Sequence, residues 1–104
     1  MKITNEMIAE RNWWLRQVSE LTGVAGDDMM TASRIERISM ARQLVMWALY
    51  EMSCLTTVQT GTLMMRNHAT VTYAVGHINS RYYGKNVERI KNELIKRYNQ
   101  RRLQ

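Results

Sequence analysis

No proline interrupts the 104 residues, and only five glycines do. Proline inside a helix costs about 3 kcal/mol and glycine about 1 kcal/mol. A chain that lacks one and nearly lacks the other is free to run in long helices with short connections. No stretch of useful length alternates apolar and polar residues with the two-residue period of a strand. The fold class predicted from this is all-α.

The apolar spacing places the helices. The first, in TNEMIAERNWWLRQVSELTG, spans residues 4–22 with Thr4 as its cap, and Met7, Trp14, Val18 and Leu21 recur at helical spacing. Gly23, Gly26, Asp27 and Asp28 break it, and a loop follows to about Thr31. Ser33 is read as capping a short turn that carries Arg34 and Arg37. A long central helix is predicted over residues 40–54, capped by Ser39, with Leu44, Val45, Ala48, Leu49 and Met52 toward the core. Thr56 or Thr57 caps a short helix over residues 57–64. Gly61 lies inside it, and a glycine there implies close approach of another helix. Residues 65–67 form a tight turn, and a further helix covers residues 68–81 with Val71, Ala74, Val75 and Ile78 on one face. The last helix, residues 86–101, turns Val87, Ile90, Leu94 and Tyr98 inward. Lys85, Arg89, Lys96, Arg97, Arg101 and Arg102 are expected on its outer face. Five helices joined by short loops should pack as a compact cluster.

The length suits one domain. Nine methionines and no phenylalanine suggest a core filled by flexible thioethers around three tryptophans. The lone cysteine, Cys54, excludes an internal disulfide, fits a reducing cytoplasm and reads as a small buried apolar residue. No apolar run approaches the ~18 residues of a membrane span, and the N-terminal residues show no apolar signal core. Cytoplasmic placement is therefore expected.

Charge is spread unevenly. The net charge is +6, but residues 1–33 carry three basic and five acidic side chains (−2), and residues 34–104 carry twelve and four (+8). A cationic excess confined to the last two-thirds is the electrostatic footprint expected of a polyanion partner.

Enzyme chemistry finds little to work with. There is no glycine loop of the form GxxxxGK to cradle a nucleotide phosphate. His68 and His77 stand nine residues apart, about 900° of helical rotation, which sets them on opposite sides of a helix. With one cysteine and no third histidine, no zinc site is expected. Nothing in the sequence supports a Cys54–His68 nucleophile pair. The chain is read as non-enzymatic, without metal or other cofactor.

A short helix, a tight turn and a second helix across residues 57–81 make a helix-turn-helix layout, in which the first helix supports a second that can enter a major groove. The stretch MRNHATVTYA opens that second helix, although Thr70, Val71 and Thr72 are β-branched in a row and disfavour helix. The inward face is used up by aliphatic residues. Asn67, His68, Ala69, Thr70, Tyr73, Gly76 and His77 remain for the front and flanks. Asparagine can pair with adenine, alanine or threonine methyls can touch a thymine methyl, and Arg66 can reach phosphate or guanine. From the residues alone, a plain αα-hairpin with a polar front fits equally well.

ARQLVMWALYEMSCLTTVQTG followed by LMMRNHATVTYAVGHI resembles the C-terminal DNA-binding domain (domain IV) of the bacterial chromosomal replication initiator DnaA. The resemblance rests on the Arg42–Gln43 pair, on Gly61 in the supporting helix, and on Arg66, Asn67, His68, Ala69, Thr70, Val71, Ala74 and Ile78. It covers roughly residues 34–80, with the last helix fitting to about residue 100, and residues 1–33 show none. It implies a Trp-repressor-like all-α fold whose signature helix reads the DnaA box in the major groove. It also implies that His68, Asn67, Ala69 and Thr70 contact backbone or base edges, that Arg34 enters the minor groove, and that Arg42 contacts phosphate. With the flanking Arg37, Gln43, Arg66, Tyr73 and His77, these form the expected DNA-binding set. The chain departs from the family at several points. Asn67 replaces a common aspartate and Ala69 a frequent threonine. Met40 and Ala41 replace an Arg-Pro pair. The turn is one residue shorter, with Met64 and Met65 where an aromatic and glycines often occur.

The expected function is sequence-specific double-stranded DNA binding of the DnaA-box-reading kind, in replication initiation or its regulation. The expected organisation is an N-terminal helix and loop over residues 1–33 and a DNA-binding domain over residues 34–104. A protein partner or self-association through residues 4–22 is a further expectation. Two alternatives stand beside this reading: a protein-interaction module that keeps the fold without reading DNA, and a dimeric helix-turn-helix repressor.

Overall fold

One helix of this chain is apolar on every side. In α3, Glu36–Glu51, the residues Ile38, Ala41, Leu44, Val45, Met46, Trp47, Ala48 and Leu49 are all buried, which covers the full circumference. Such a helix is stable only where other helices surround it. The computed structural model, which describes residues 2–80 and 84–103, supplies that surround. Helices α1 (Asn5–Thr22) and α5 (His68–Asn79) cover most of α3. Helices α2 (Gly26–Met29) and α4 (Thr57–Leu63) pack near its ends, and α6 (Gly84–Arg102) lies against α1. The described residues hold no strand, and the all-α expectation stands.

Local chemistry sets the helix ends. The Thr4 hydroxyl accepts from the Met7 amide at 3.2 Å to start α1, and Gly23 ends it in a left-handed conformation (φ +76°). At α4 the cap is Thr56, whose hydroxyl accepts from the Gln59 amide at 3.0 Å while the Gln59 side chain accepts from the Thr56 amide at 2.9 Å. This reciprocal capping box stabilises a helix too short to stand alone.

The helix count rises from five to six among the described residues, because residues 26–29 form a single turn where a loop was expected. Its Met29 side chain is fully buried, so core contact holds the turn. The central helix begins at Glu36 rather than residue 40, and Ser39 lies inside it, its amide bonded to the Ile35 carbonyl at 2.8 Å. Burial of Ile38 explains the earlier start. That helix stops at Glu51, because Cys54 turns left-handed (φ +59°) and the Ser53 and Leu55 amides fold back onto the Ala48 and Leu49 carbonyls. The same turn leaves Cys54 exposed, not buried as its apolar character suggested. Helix α5 ends at Asn79. Residue 81, expected as its last, lies outside the described residues.

Residues 1–33 share the one core. Trp14, Val18, Val24 and Met29 belong to the same buried cluster as α3, α5 and α6. The indole N–H of Trp14 donates to the Ser53 hydroxyl at 2.8 Å, and that hydroxyl donates to Glu10 at 2.6 Å. Glu10 in turn pairs with Arg101 at 2.7 Å, and the Arg101 guanidinium lies 4.5 Å over the Trp13 ring. Tyr98 stacks on Trp14 with ring centroids 5.2 Å apart. Arg97 bonds Gln17 and Glu20, each at 2.9 Å. Arg97 and Arg101, expected to face outward, therefore tie α6 to α1. Each such half-exposed ion pair contributes at most about 1 kcal/mol, so the stacked aromatic rings carry more of the joint.

A β-carbon built on Gly61 would sit 2.6 Å from the Arg66 carbonyl oxygen, closer than any real contact. Gly61→Ala is expected to destabilise the fold by about 1–3 kcal/mol through overpacking, read as a lower urea midpoint at unchanged slope. An unchanged or raised midpoint would mean that the gain in helix propensity wins and that the turn can shift.

Candidate nucleic-acid interface

The turn between α4 and α5 is built from backbone. The Met64 amide donates to the Thr60 carbonyl at 3.0 Å and the Arg66 amide to the Gly61 carbonyl at 2.8 Å. Met65 adopts a left-handed conformation (φ +57°), which costs a side-chain-bearing residue roughly 1–2 kcal/mol and glycine almost nothing. Met64 is fully buried and Met65 is 73% exposed at the tip. The two methionines thus divide the work of an aromatic plug and a glycine turn.

Asn67 is the N-cap of α5. Its backbone is extended (φ −66°, ψ 147°), and its Oδ1 accepts from the Ala69 amide at 2.7 Å. A bidentate pair with adenine needs that oxygen as well as the amide nitrogen, so capping competes with the base contact that the residue type suggests. Beyond the cap, α5 divides into two faces. Val71, Ala74, Val75 and Ile78 are buried against the core. His68, Ala69, Thr70, Thr72 and Tyr73 are exposed. The β-branched run is tolerated because Val71 packs inward, while the Thr72 hydroxyl donates to the His68 carbonyl at 3.3 Å. Farther along, the Tyr73 and His77 rings lie 5.2 Å apart, and His77 Nδ1 is 3.1 Å from the Gln43 side-chain oxygen. Gln43 and His77 are each partly buried, which sets them at the edge of the exposed row.

Arg34 and Arg37 are exposed, the first on the segment before α3 and the second in its first turn. Neither makes an ion pair among the described residues. Ile35, between them, is 61% exposed. Arg66 bridges this segment to the turn: its guanidinium donates to the Thr31 carbonyl and, at 3.1 Å, to the Met65 carbonyl.

Arg42 behaves differently from the other members of the set. It is 7% exposed, its Nε donating to the Met29 carbonyl at 3.0 Å and its Nη2 to the Ser33 carbonyl at 2.8 Å. Burial, and secondarily the positive Arg66 nearby, lowers its pKa from the ordinary arginine value. An arginine shifted in this way still keeps its charge at neutral pH. A signal for this inward placement exists in the sequence. Arg42 follows Ile38 by four residues and precedes Val45 and Met46 by three and four, a spacing that sets it on a buried stripe.

Arg11 is a supporting residue that the spacing placed off the apolar line. Its guanidinium donates to the Leu63 carbonyl at 3.0 Å, satisfying the C-terminal end of α4 from α1. A hydrogen bond from a charged donor contributes about 1.5–3 kcal/mol. The supporting helix is therefore fixed by α1 on one side and by the Gly61 contact on the other.

No helix among the described residues is long and apolar enough to cross a membrane. Comparison with curated protein sequences gives no match. The family model of the bacterial DnaA protein helix-turn-helix matches residues 15–78. That span is more than half of the chain, and it begins well upstream of residue 34, inside the segment where the sequence showed no resemblance. It takes in the second half of α1, all of α2 to α4, and α5 up to Ile78. The capped supporting helix, the tight turn and the two-faced α5 lie within the match, and the chain belongs to the bacterial DnaA helix-turn-helix family.

Proposed function

We propose that the protein binds double-stranded DNA through α5 and the segment before α3, reading a DnaA-box-like site in replication initiation or its regulation. The observation that carries this reading is the bond from Arg66 to the Thr31 carbonyl. It joins the turn before α5 to the segment bearing Arg34, so the exposed N-terminal row of α5 and the segment that carries the exposed arginines are neighbours. A helix in the major groove with a basic arm in the adjacent minor groove is a recurring docking geometry. His68, Ala69, Thr70 and Tyr73 supply the major-groove surface, with Asn67 at its edge. Arg34 and Arg37 supply the minor-groove and phosphate contacts. Gln43 and His77 flank the row.

The aromatic side of α1 is occupied internally, Trp14 and Val18 being fully buried. That weighs against residues 4–22 as a dimer interface and, with it, against the dimeric repressor. The interaction-module alternative is separated by a binding measurement. A specific reader should prefer a DnaA-box duplex over a scrambled one by roughly 10³-fold, at ~150 mM salt, with affinity falling steeply as salt rises. Absence of binding to either duplex would remove the DNA reading. Equal binding to both would leave a backbone binder without a target.

Substitutions at two positions separate recognition from stability. Thr70→Ala should alter which duplex is preferred while leaving the unfolding free energy from urea titration within about 0.5 kcal/mol, as expected of an exposed position. Asn67→Ala should cost about 1 kcal/mol of stability through the lost cap, whereas Asn67→Asp should keep the cap and gain from the helix dipole. Equal melting of Asn67→Ala and the parent protein would show that the cap contributes nothing.

A further inference from the structure

From residue 31 to residue 37 no side chain is buried. Apolar packing therefore does not hold this segment, although it carries Arg34. Its backbone is held instead. Arg42 Nε and Nη2 take the Met29 and Ser33 carbonyls at 3.0 and 2.8 Å, and the Arg66 guanidinium takes the Thr31 carbonyl between them. Three alternate carbonyls of one segment thus converge on two guanidiniums, one rooted in the buried helix α3 and the other in the turn before α5. Small local bonds complete the shape: the Ser33 amide donates to the Thr31 hydroxyl at 3.2 Å, and the Ile35 amide to the Ser33 hydroxyl at 3.3 Å.

We propose that Arg42 is a positioning residue, which together with Arg66 clamps residues 29–33 by their carbonyls and so sets where Arg34 stands relative to α5. This rests on the DNA reading above, and it gives Arg42 a role distinct from a phosphate contact. Its Nε and Nη2 are engaged by the two carbonyls, so the clamp needs no DNA to form. The planar fork of arginine suits the task, because it presents Nε and Nη2 to two acceptors at once, and a lysine ammonium at the end of a flexible stem does not. Arg66, partly exposed, links the clamp to the recognition turn. The two DNA-facing elements are thereby locked in one frame before any DNA arrives.

The test uses the full chain and Arg42→Lys, alone and combined with Arg34→Ala. Amide hydrogen exchange is measured on the free protein, and binding is measured to a DnaA-box duplex and to the same duplex changed at one A·T pair flanking the major-groove site. In Arg42→Lys the amides of residues 31–35 should exchange about tenfold faster or more, with those of α5 unchanged. The discrimination at the altered pair should fall about tenfold in Arg34→Ala and in Arg42→Lys, with no further loss in the double variant, since positions acting through one another are not additive. A direct phosphate contact behaves otherwise. Lysine would preserve it, exchange would be unchanged, and losses from Arg34→Ala and Arg42→Lys would add. That pattern overturns the proposal. If Arg42→Lys does not fold, Arg66→Lys reports on the same segment through the Thr31 carbonyl, with the same expected and contrary outcomes. If the parent protein binds neither duplex, the DNA reading falls and the positioning role with it, while the exchange data still decide whether the clamp exists.

Discussion

The backbone contact between Gly61 and Arg66 fixes how α5 is presented at the surface. With 2.6 Å between the place of a Gly61 β-carbon and the Arg66 carbonyl, only a glycine lets α4 meet the start of the next segment. The contact sets the angle at which α5 leaves the turn. That angle decides which side of α5 meets the core. Once Val71, Ala74, Val75 and Ile78 are directed inward, the exposure of His68, Ala69, Thr70 and Tyr73 follows from the helical repeat alone. The left-handed Met65 is the strained consequence of turning so quickly.

Such a turn needs a rigid frame, and α3 provides it by being unable to exist alone. A helix with apolar residues on all sides draws α1, α5 and the short helices around it. Tryptophans then mark its outer joints. Trp47 donates from its indole to Asn79 at 3.1 Å, with the Lys91 ammonium 5.3 Å over its ring, which ties α3 to the end of α5 and to α6. Trp14 does the same between α1, the end of α3 and α6 through Ser53 and Tyr98. The N-terminal third is therefore structural in the same sense as the rest: without it α3 would expose its face, and Arg11 would no longer satisfy the end of α4.

The parts legible in the sequence were those governed by periodicity and by backbone chemistry. The helix-turn-helix, the inward row on α5 and the α1 limits all depend on local residue types, and those residue types were visible. Gly61 signalled a close approach, but its neighbour is the Arg66 carbonyl of the turn and not another helix. What was not legible depends on partners distant in the chain. Ser39 has the chemistry of a cap, yet the burial of Ile38 starts α3 earlier. Cys54 has the character of a core residue, yet it occupies the left-handed position after a helix and is exposed. Arg97 and Arg101 follow the polar stripe of α6, yet Gln17, Glu20, Glu10 and Trp13 on α1 meet them. Asn67 has two donors and an acceptor suited to a base, yet the acceptor is used by its own helix. In each case a composition-level reading assigns the side chain by type, and the fold assigns it by neighbour.

The same distinction changes the meaning of the net charge. An excess of +8 over residues 34–104 reads as a footprint for a polyanion, but several of those cations are occupied inside the fold. Arg42 is buried on backbone carbonyls, Lys91 bonds Asn79 and sits over Trp47, and Arg97 and Arg101 pair with carboxylates. Subtracting them leaves, among the described residues, Arg34, Arg37 and the half-exposed Arg66 beside α5, and Lys85, Arg89, Lys96 and Arg102 along α6. Counterion release depends on cations that can meet a phosphate, so the steepness of any salt dependence reflects this smaller set and not the formal total. Arg34 also stands on a segment whose backbone carbonyls other arginines hold. Part of the basic character of the chain therefore builds the surface on which the rest is displayed.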